Sequence, residues 1–145
     1  WHVLEHLHDP LGTLMEVRCL MHPSGRLVVA VPNVASWQAR VAGRQWFHLD
    51  LPRHLYHFDP QTLAAMLGRA EFSIQTWSFS SLAYECRGWW ELLSAWGRSD
   101  RWPAGALASP TIPLAVVLSR VAAFRGAGAA ISVQALPVPK NVAVG

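Results

Sequence analysis

The chain has 145 residues, of which 52% are hydrophobic and 14% are charged. Globular proteins contain about 25% charged residues on average, so a chain this apolar is not a disordered protein and must bury a core. Its length suits one domain or part of one. Twelve Lys and Arg against nine Asp and Glu leave a net charge of +3 without a basic run, which argues against a nucleic-acid-binding protein.

The two cysteines, Cys19 and Cys86, are far apart in the sequence. Their spacing argues against a disulfide framework and a cysteine-based zinc site, and indicates free thiols in a reducing compartment, here the cytoplasm. Residue 1 is Trp rather than Met, and we expect the sequence to begin inside a domain.

Asp9 and Pro10 mark the start of the first helix. The Asp side chain can accept hydrogen bonds from free amides at a helix start, and Pro fits the first helical position. Apolar residues at helical spacing then predict a helix over 10–21. After a Pro-Ser-Gly turn, the apolar run 27–31 predicts a strand buried on both faces. This order of elements indicates a unit of a parallel α/β sheet.

Beyond residue 33 the chain alternates between helical and strand patterns. The strand at 72–79 is predicted to place Phe72, Ile74 and Thr76 on one face. The other predicted elements are a short helix at 36–43, a helix opened by Asp59-Pro60, a helix at 82–97, a Pro/Gly-rich link at 102–113, an apolar helix at 113–125 and a strand at 130–136.

The stretch between Arg101 and Arg120 contains no charged residue. It reaches the nominal length of a membrane-spanning helix, but Pro110 and Pro113 interrupt it. The pattern predicts a buried or interface helix at 113–125. The alternative is a peripheral membrane contact made by that helix.

All seven histidines lie in the first part of the chain, none of them beyond His57, and most fall in two clusters. The first cluster, residues 2–6, has the pattern H-x-x-E-H of the inverted zinc-peptidase motif, in which two His on one helical face bind zinc and Glu activates water. That chemistry needs a helix through these residues and a third protein ligand, and the sequence identifies neither. A loop of ordinary polar residues is the alternative.

The second cluster is R-H-L-Y-H-F, residues 53–58. Arg, two His and Tyr in a loop before a helix are typical of a substrate-facing segment, because they offer a base near neutral pH, a hydrogen-bond donor and an aromatic wall. The alternative is that these side chains pack the loop onto the core.

The motifs also follow a familiar order. Four segments, in their order along the chain, resemble the C-terminal half of class I S-adenosylmethionine-dependent methyltransferases. They are V-L-E-H, D-P, H-P-S-G-R-L-V-V-A-V-P-N and L-P-R-H-L-Y-H-F-D-P. The branch they resemble includes ubiquinone-type O-methyltransferases. The resemblance covers residues 1–80 and extends to the closing strand at 130–136.

The resemblance implies the α/β fold class, with the C-terminal half of a doubly wound Rossmann-like sheet present and the N-terminal half missing. Residues 1–145 would be a partial methyltransferase domain. Residues 27–32 would be its fifth strand, 72–79 and 130–136 its antiparallel closing pair, and 82–129 a helical insertion between them.

The resemblance also implies the roles of site residues. Relatives with E-x-x-E-H at this point can hold a divalent cation, but His2 replaces the first acid here, and we expect no metal. Trp1 and His2 would border the cofactor, S-adenosylmethionine. The substrate would be contacted by Arg53, Glu5 and His6. The candidate bases would be His54 and His57, with Tyr56 as an orienting hydrogen-bond donor.

The implied activity is methyl transfer to a small or lipid-linked acceptor, at oxygen. Catalysis would depend mainly on holding the acceptor in line, and an acceptor hydroxyl would need a base. The glycine-rich loop and acidic residue that hold the cofactor are absent, so a non-catalytic α/β remnant or binding module is the alternative function. We expect Trp89, Trp90, Trp96 and the helix after Pro113 to form apolar walls around the acceptor.

Overall fold

The computed structural model describes residues 1–97 and 111–139. Each predicted helix and strand is confirmed to within two residues of its predicted bounds, while most of the predicted link at 102–113 lies outside the described residues. The elements are α1 (Pro10–Leu20), β1 (Leu27–Pro32), α2 (Trp37–Ala42), α3 (Pro60–Arg69), β2 (Phe72–Ser78), α4 (Leu82–Gly97), α5 (Thr111–Ala123) and β3 (Ala130–Pro137), with short 3₁₀ turns at Leu4–His6, Gly43–Gln45 and Phe47–Leu49.

Helices α1 and α3 both begin at the predicted caps. The Asp9 carboxylate accepts a hydrogen bond from the Gly12 amide at 2.8 Å. A Cβ on residue 12 would lie 2.2 Å from that carboxylate, so the cap requires glycine at this position. Asp59 and Thr62 form a reciprocal capping box at the start of α3. The hydrogen bonds from Thr62 lower the pKa of Asp59.

Strands β1, β3 and β2 form a sheet in that order, and β3 is antiparallel to both neighbours. This confirms the predicted antiparallel closing pair. The parallel sheet predicted from α1 and β1 is not present among the described strands, because β3 separates β1 from β2. The carboxyl ends of β1 and β2 therefore lie at the same edge of the sheet, beside the amino end of β3.

The main core lies between one face of this sheet and helices α1 and α3. Each fully buried aliphatic side chain of this kind contributes about 1.5–3 kcal/mol to folding. A second core forms where α2, α4 and α5 meet, around Trp46, Trp89 and Leu92. The centre of the main core contains Leu14, Val31, Leu63, Leu67, Ile131 and Val133.

Two predictions about strand faces are wrong. Val28 is 40% exposed, so β1 is not buried on both faces along its whole length. In β2 a bulge follows Ile74. Ile74 pairs with Ala135 and Thr76 pairs with Gln134, so two residues that are two positions apart in β2 pair with adjacent residues of β3. Because adjacent residues of β3 face opposite sides, the bulge moves Thr76 to the face opposite Ile74.

Buried polar contacts hold α4 against α2. The Gln38 amide donates to the backbone oxygen of Glu85 at 3.1 Å, and the Trp46 indole donates to Gln38 at 3.1 Å. A Cβ on Gly88 would lie 2.1 Å from Gln38, so glycine permits this close approach. Burial raises the pKa of the Glu85 carboxyl, more than the neighbouring Ser119 hydroxyl lowers it. These contacts fix the orientation in which α4 meets the edge of the sheet.

Candidate active site

The two histidine clusters are far apart in the sequence and meet at the edge where β1 ends. The Glu5 carbonyl accepts backbone amides from Leu55 at 2.8 Å and from Tyr56 at 3.2 Å. The His6 ring donates through Nδ1 to the Arg53 carbonyl at 2.9 Å. The 53–58 loop is therefore bound to the first cluster by three hydrogen bonds.

Glu5 lies at the centre of this site and is fully buried. Neither of its carboxylate oxygens has a hydrogen-bond partner among the described residues. The His2 ring lies close to it, with Nδ1 3.4 Å from Glu5 Oε1. An unpaired carboxylate in the interior costs several kcal/mol of free energy, and such a group is a common sign of a binding or catalytic site.

His54 is buried beside Glu5 and His6. Its ring contacts the His6 ring edge-on at 4.6 Å between centroids, and its Nδ1 donates to the His48 carbonyl at 2.8 Å. A nitrogen that donates to a carbonyl must carry a proton, so Nδ1 is protonated, and the other ring nitrogen, Nε2, lies 3.8 Å from Asp50 Oδ2. One potential ligand atom from each of Glu5, His6 and His54 lies within 4.8 Å of the others.

His57, the second candidate base, lies in a more accessible position. It is half-buried, its centroid is 6.3 Å from that of His54, and its Nε2 donates to the Leu49 carbonyl at 2.9 Å. Because Nε2 carries the proton of this bond, Nδ1 is the ring nitrogen that remains to accept a proton. Of the two predicted bases, His57 is the one that an acceptor molecule can reach more easily.

Tyr56 and Arg53 make contacts that compete with their predicted roles. The Tyr56 hydroxyl donates to the His8 carbonyl at 3.2 Å, so its proton already has a partner. The Arg53 guanidinium is largely exposed and pairs with Asp50 at 2.6 Å. A substrate anion would have to share this guanidinium with Asp50.

Trp1 and His2, the predicted cofactor neighbours, border a cavity of about 190 Å³ that also contacts Ser78, Ser80 and Ser132. Trp1 is 73% exposed. Sites for molecules of cofactor size enclose about 300–1,000 Å³. The cavity beside Trp1 and His2 is therefore too small to enclose S-adenosylmethionine on its own.

Two residues that the sequence interpretation missed complete the site. Tyr84, on α4, stacks between His2 at 4.0 Å and His48 at 4.4 Å, both at 16° between ring planes. Burial, with the nearby Glu5 charge, raises the pKa of Tyr84 to about 12. Burial lowers the pKa of His48 to about 4, so this ring is neutral at pH 7. No local signal marks Tyr84, because both of its partners belong to distant segments of the sequence.

The zinc-peptidase interpretation of residues 2–6 is wrong. Only Leu4–His6 is helical, as a single 3₁₀ turn, so His2 and His6 do not share an α-helical face. His2 instead stacks on Tyr84, and the group of potential metal ligands contains His54 in its place.

The predicted apolar wall is wrong for Trp89. Trp89 is 4% exposed and donates to Ser119 at 2.7 Å inside the second core, so it is not available to a substrate. Trp90 is 52% exposed, and the Trp96 side chain lies outside the described residues. An aromatic cavity of about 430 Å³ instead lies between β2 and α5, and it adjoins the cavity beside His2. It is lined by Trp77, Ser78, Phe79, Ser80, Arg120, Ala123 and Phe124.

Residues 1–76, just over half of the chain, match a family described as methyltransferase domains. The chain belongs to the class I S-adenosylmethionine-dependent methyltransferases. Ubiquinone biosynthesis O-methyltransferases from three strains of Xanthomonas campestris pv. campestris (B100, 8004 and ATCC 33913) are each 32% identical to it over 89 residues. The match covers 57% of this chain and 36% of each relative, so the chain spans about a third of their length.

A solved structure supports the methyltransferase fold. The crystal structure of the [4+2]-cyclase SpnF superimposes with a TM-score of 0.52 over 95% of this chain and 48% of the SpnF chain, at 22% identity. Because SpnF is named as a cyclase, this fold does not by itself select a reaction.

Proposed function

We propose that this methyltransferase transfers a methyl group to a hydroxyl oxygen of a small, lipid-like acceptor. Membership of the family supports methyl transfer, and the name of the Xanthomonas relatives supports oxygen as the acceptor atom and a lipid-like acceptor. The part of the reaction that we assign to the two histidine clusters is to bind the acceptor and to remove its proton.

The adjoining cavities are the observation that supports the acceptor class. The cavity beside His2 and the aromatic cavity share Ser78 and Ser80 in their walls. The larger one is bordered by Trp77 and Phe79, which suit an apolar tail. We therefore assign the apolar tail of the acceptor to the cavity between β2 and α5.

His57 is the base that we assign to the acceptor hydroxyl. Its Nε2 donates to the Leu49 carbonyl, which fixes the ring and leaves Nδ1 as the nitrogen for the acceptor. In this role Nδ1 takes the hydroxyl proton as the oxygen becomes the nucleophile. Glu5 anchors the loop of His57 through its backbone carbonyl, so that the base keeps its position.

An acceptor series tests this function. We expect the protein to transfer labelled methyl from S-adenosylmethionine to a phenol that carries an apolar chain. The same phenol without the apolar chain should have a higher KM. The O-methyl ether of the chain-bearing phenol should not react, because its oxygen is already methylated. Absence of transfer to the whole series, together with absence of cofactor binding, would support the binding-module alternative instead.

We further propose that α5 makes a peripheral contact with a membrane while the protein works in the cytoplasm. Among the described helices, none is both long and apolar enough to cross a bilayer. Arg120 and Arg125 are exposed beside the apolar surface of α5 and can face anionic headgroups. The exposed apolar side chains of this surface are Leu114, Val117, Leu118, Val121 and Phe124.

A vesicle-binding measurement tests this contact. We expect the protein to sediment with anionic vesicles, and the double variant Val117→Glu/Val121→Glu to bind at least about 100-fold more weakly, because each buried apolar side chain contributes about 1.5–3 kcal/mol. Leu20→Glu is the matched control, since Leu20 is an exposed apolar residue at the end of α1. Equal loss of binding in both variants would contradict a contact specific to α5.

A further inference from the structure

Tyr84 contacts the histidine site from α4, a helix that belongs to neither histidine cluster. Its ring lies between two imidazoles, with centroids 4.0 Å from that of His2 and 4.4 Å from that of His48, and both pairs are inclined by 16°. We propose that Tyr84 is a positioning residue, whose ring sets the orientation of the assigned base, His57. The effect on turnover rests on the proposed function, whereas the ring geometry can be measured without it.

His48 is the link between Tyr84 and the 53–58 loop. Tyr84 holds His48 in two ways, because its ring stacks on the imidazole and its backbone carbonyl accepts a hydrogen bond from His48 Nε2 at 3.1 Å. His48 is also 4% exposed, so protein atoms surround it. One contact on the ring face and one in the ring plane restrain both the tilt and the rotation of this imidazole.

The backbone at His48 carries the two carbonyl groups that hold the candidate bases. The His48 carbonyl accepts a hydrogen bond from His54 Nδ1 at 2.8 Å, and the next carbonyl, that of Leu49, accepts one from His57 Nε2 at 2.9 Å. Both carbonyls belong to the 3₁₀ turn Phe47–Leu49. Because each hydrogen bond decides which ring nitrogen carries the proton, movement of this turn would change what both rings present to an acceptor.

The other face of the Tyr84 ring contacts the first histidine cluster. His2 stacks on this face, and His2 Nδ1 lies 3.4 Å from Glu5 Oε1. The Glu5 carbonyl accepts two backbone amides of the 53–58 loop. The two supports of that loop, the 3₁₀ turn and the Glu5 segment, therefore meet at the Tyr84 ring.

Helix α4 suits this role because contacts outside the histidine site fix its position. The Gln38 amide donates to the Glu85 carbonyl at 3.1 Å, and a Cβ on Gly88 would lie 2.1 Å from Gln38. Both of these α4 residues lie within about one helical turn of Tyr84. A site supported by rigid elements holds its groups more precisely than a site made of loops alone.

Variants of Tyr84 test this role in turnover. Tyr84→Phe keeps the ring and should keep the wild-type kcat. Tyr84→Leu removes the stacking surface and should lower kcat by about 10–100-fold, the cost of a misplacement of about 1 Å at the reacting groups. The KM for the acceptor should change less, because its apolar tail is assigned to the cavity between β2 and α5. Leu82→Ala is the control within α4, since Leu82 is 54% exposed, and it should have the wild-type kcat.

Imidazole nitrogen NMR measures the positioning without turnover, at a pH where the rings are neutral. In the wild type we expect a single tautomer for each ring, with the proton on Nε2 of His57 and on Nδ1 of His54. Tyr84→Leu should convert the His57 signal to a mixture of tautomers, and Tyr84→Phe should leave it unchanged. An unchanged tautomer in folded Tyr84→Leu would overturn the proposal, even if the wild type methylates its acceptor. A changed tautomer in a protein without methyl transfer would support the positioning role and contradict only the proposed function.

Tyr84→Met keeps the test decisive if Tyr84→Leu lowers the folded fraction, because Met fills similar space with a flexible side chain that cannot stack as a ring does. Failure of both variants to fold would assign Tyr84 to the core and contradict a positioning role. The same follows if Tyr84→Phe loses as much turnover as Tyr84→Leu, because the hydroxyl and not the ring would then be responsible.

Discussion

Replacing His57 with alanine is expected to lower kcat for methyl transfer by about 10²–10⁴-fold, the usual contribution of a general base. The dissociation constant of S-adenosylmethionine should change little, because His57 lies in the loop that we assign to the acceptor. Turnover at saturating cofactor and calorimetric cofactor binding give the two quantities separately. His54→Ala should also lower turnover, since the centroids of the two rings are only 6.3 Å apart.

The two variants differ in what they remove. His57→Ala removes the assigned base, whereas His54→Ala removes a buried ring that contacts His6 and donates to the His48 carbonyl. The surface variant His22→Ala is the control for turnover, because the ring of His22 forms its hydrogen bonds with the nearby Ser24. Wild-type turnover in both His54→Ala and His57→Ala would mean that the 53–58 loop packs the core and takes no part in the reaction.

A second large effect is expected on stability from Trp89→Ala. This side chain is 4% exposed in the core shared by α2, α4 and α5. Removal of a buried Trp costs about 3–5 kcal/mol of the free energy of unfolding. The Ser119 hydroxyl, which accepts the indole N–H at 2.7 Å, would also lose this donor. Denaturant unfolding measures the difference.

Trp90→Ala is the matched control, since it removes the same side chain from the neighbouring position, where 52% is exposed. We expect it to change stability by no more than about 0.5 kcal/mol. Equal losses in the two variants would contradict the placement of α4.

Deletion of α5 should unfold the second core, because Ala115 and Val116 of this helix pack against that core.

The secondary structure could be predicted because its signals are local. Asp9 with Pro10 and Asp59 with Pro60 set the starts of α1 and α3 through caps made within one turn. The strand at 27–31 could likewise be predicted from its own segment, because its signal is a continuous apolar run. Face assignments failed at Thr76, because the bulge before it depends on pairing with β3 rather than on its own segment.

The site was predictable only in part. The sequence pointed to both histidine clusters, because His, Arg and Tyr before a capped helix have a recognisable composition. It could not show that Glu5 would be buried beside His54 with no hydrogen bond to its carboxylate from the described residues, since that depends on the Glu5 carbonyl accepting amides from a loop in a distant segment. The prediction that Trp89 contacts the acceptor failed for a similar reason, because burial of Trp89 depends on α5.

By itself the sequence determined the methyltransferase family, the helices and strands, and the segments that hold the chemistry, because these depend on residue type and local spacing. Only the tertiary structure decided which side chains meet. It placed Tyr84 between His2 and His48, separated accessible His57 from buried His54, and located the aromatic cavity between β2 and α5. Burial and contacts between distant segments are properties of the packed chain, and no local pattern specifies them.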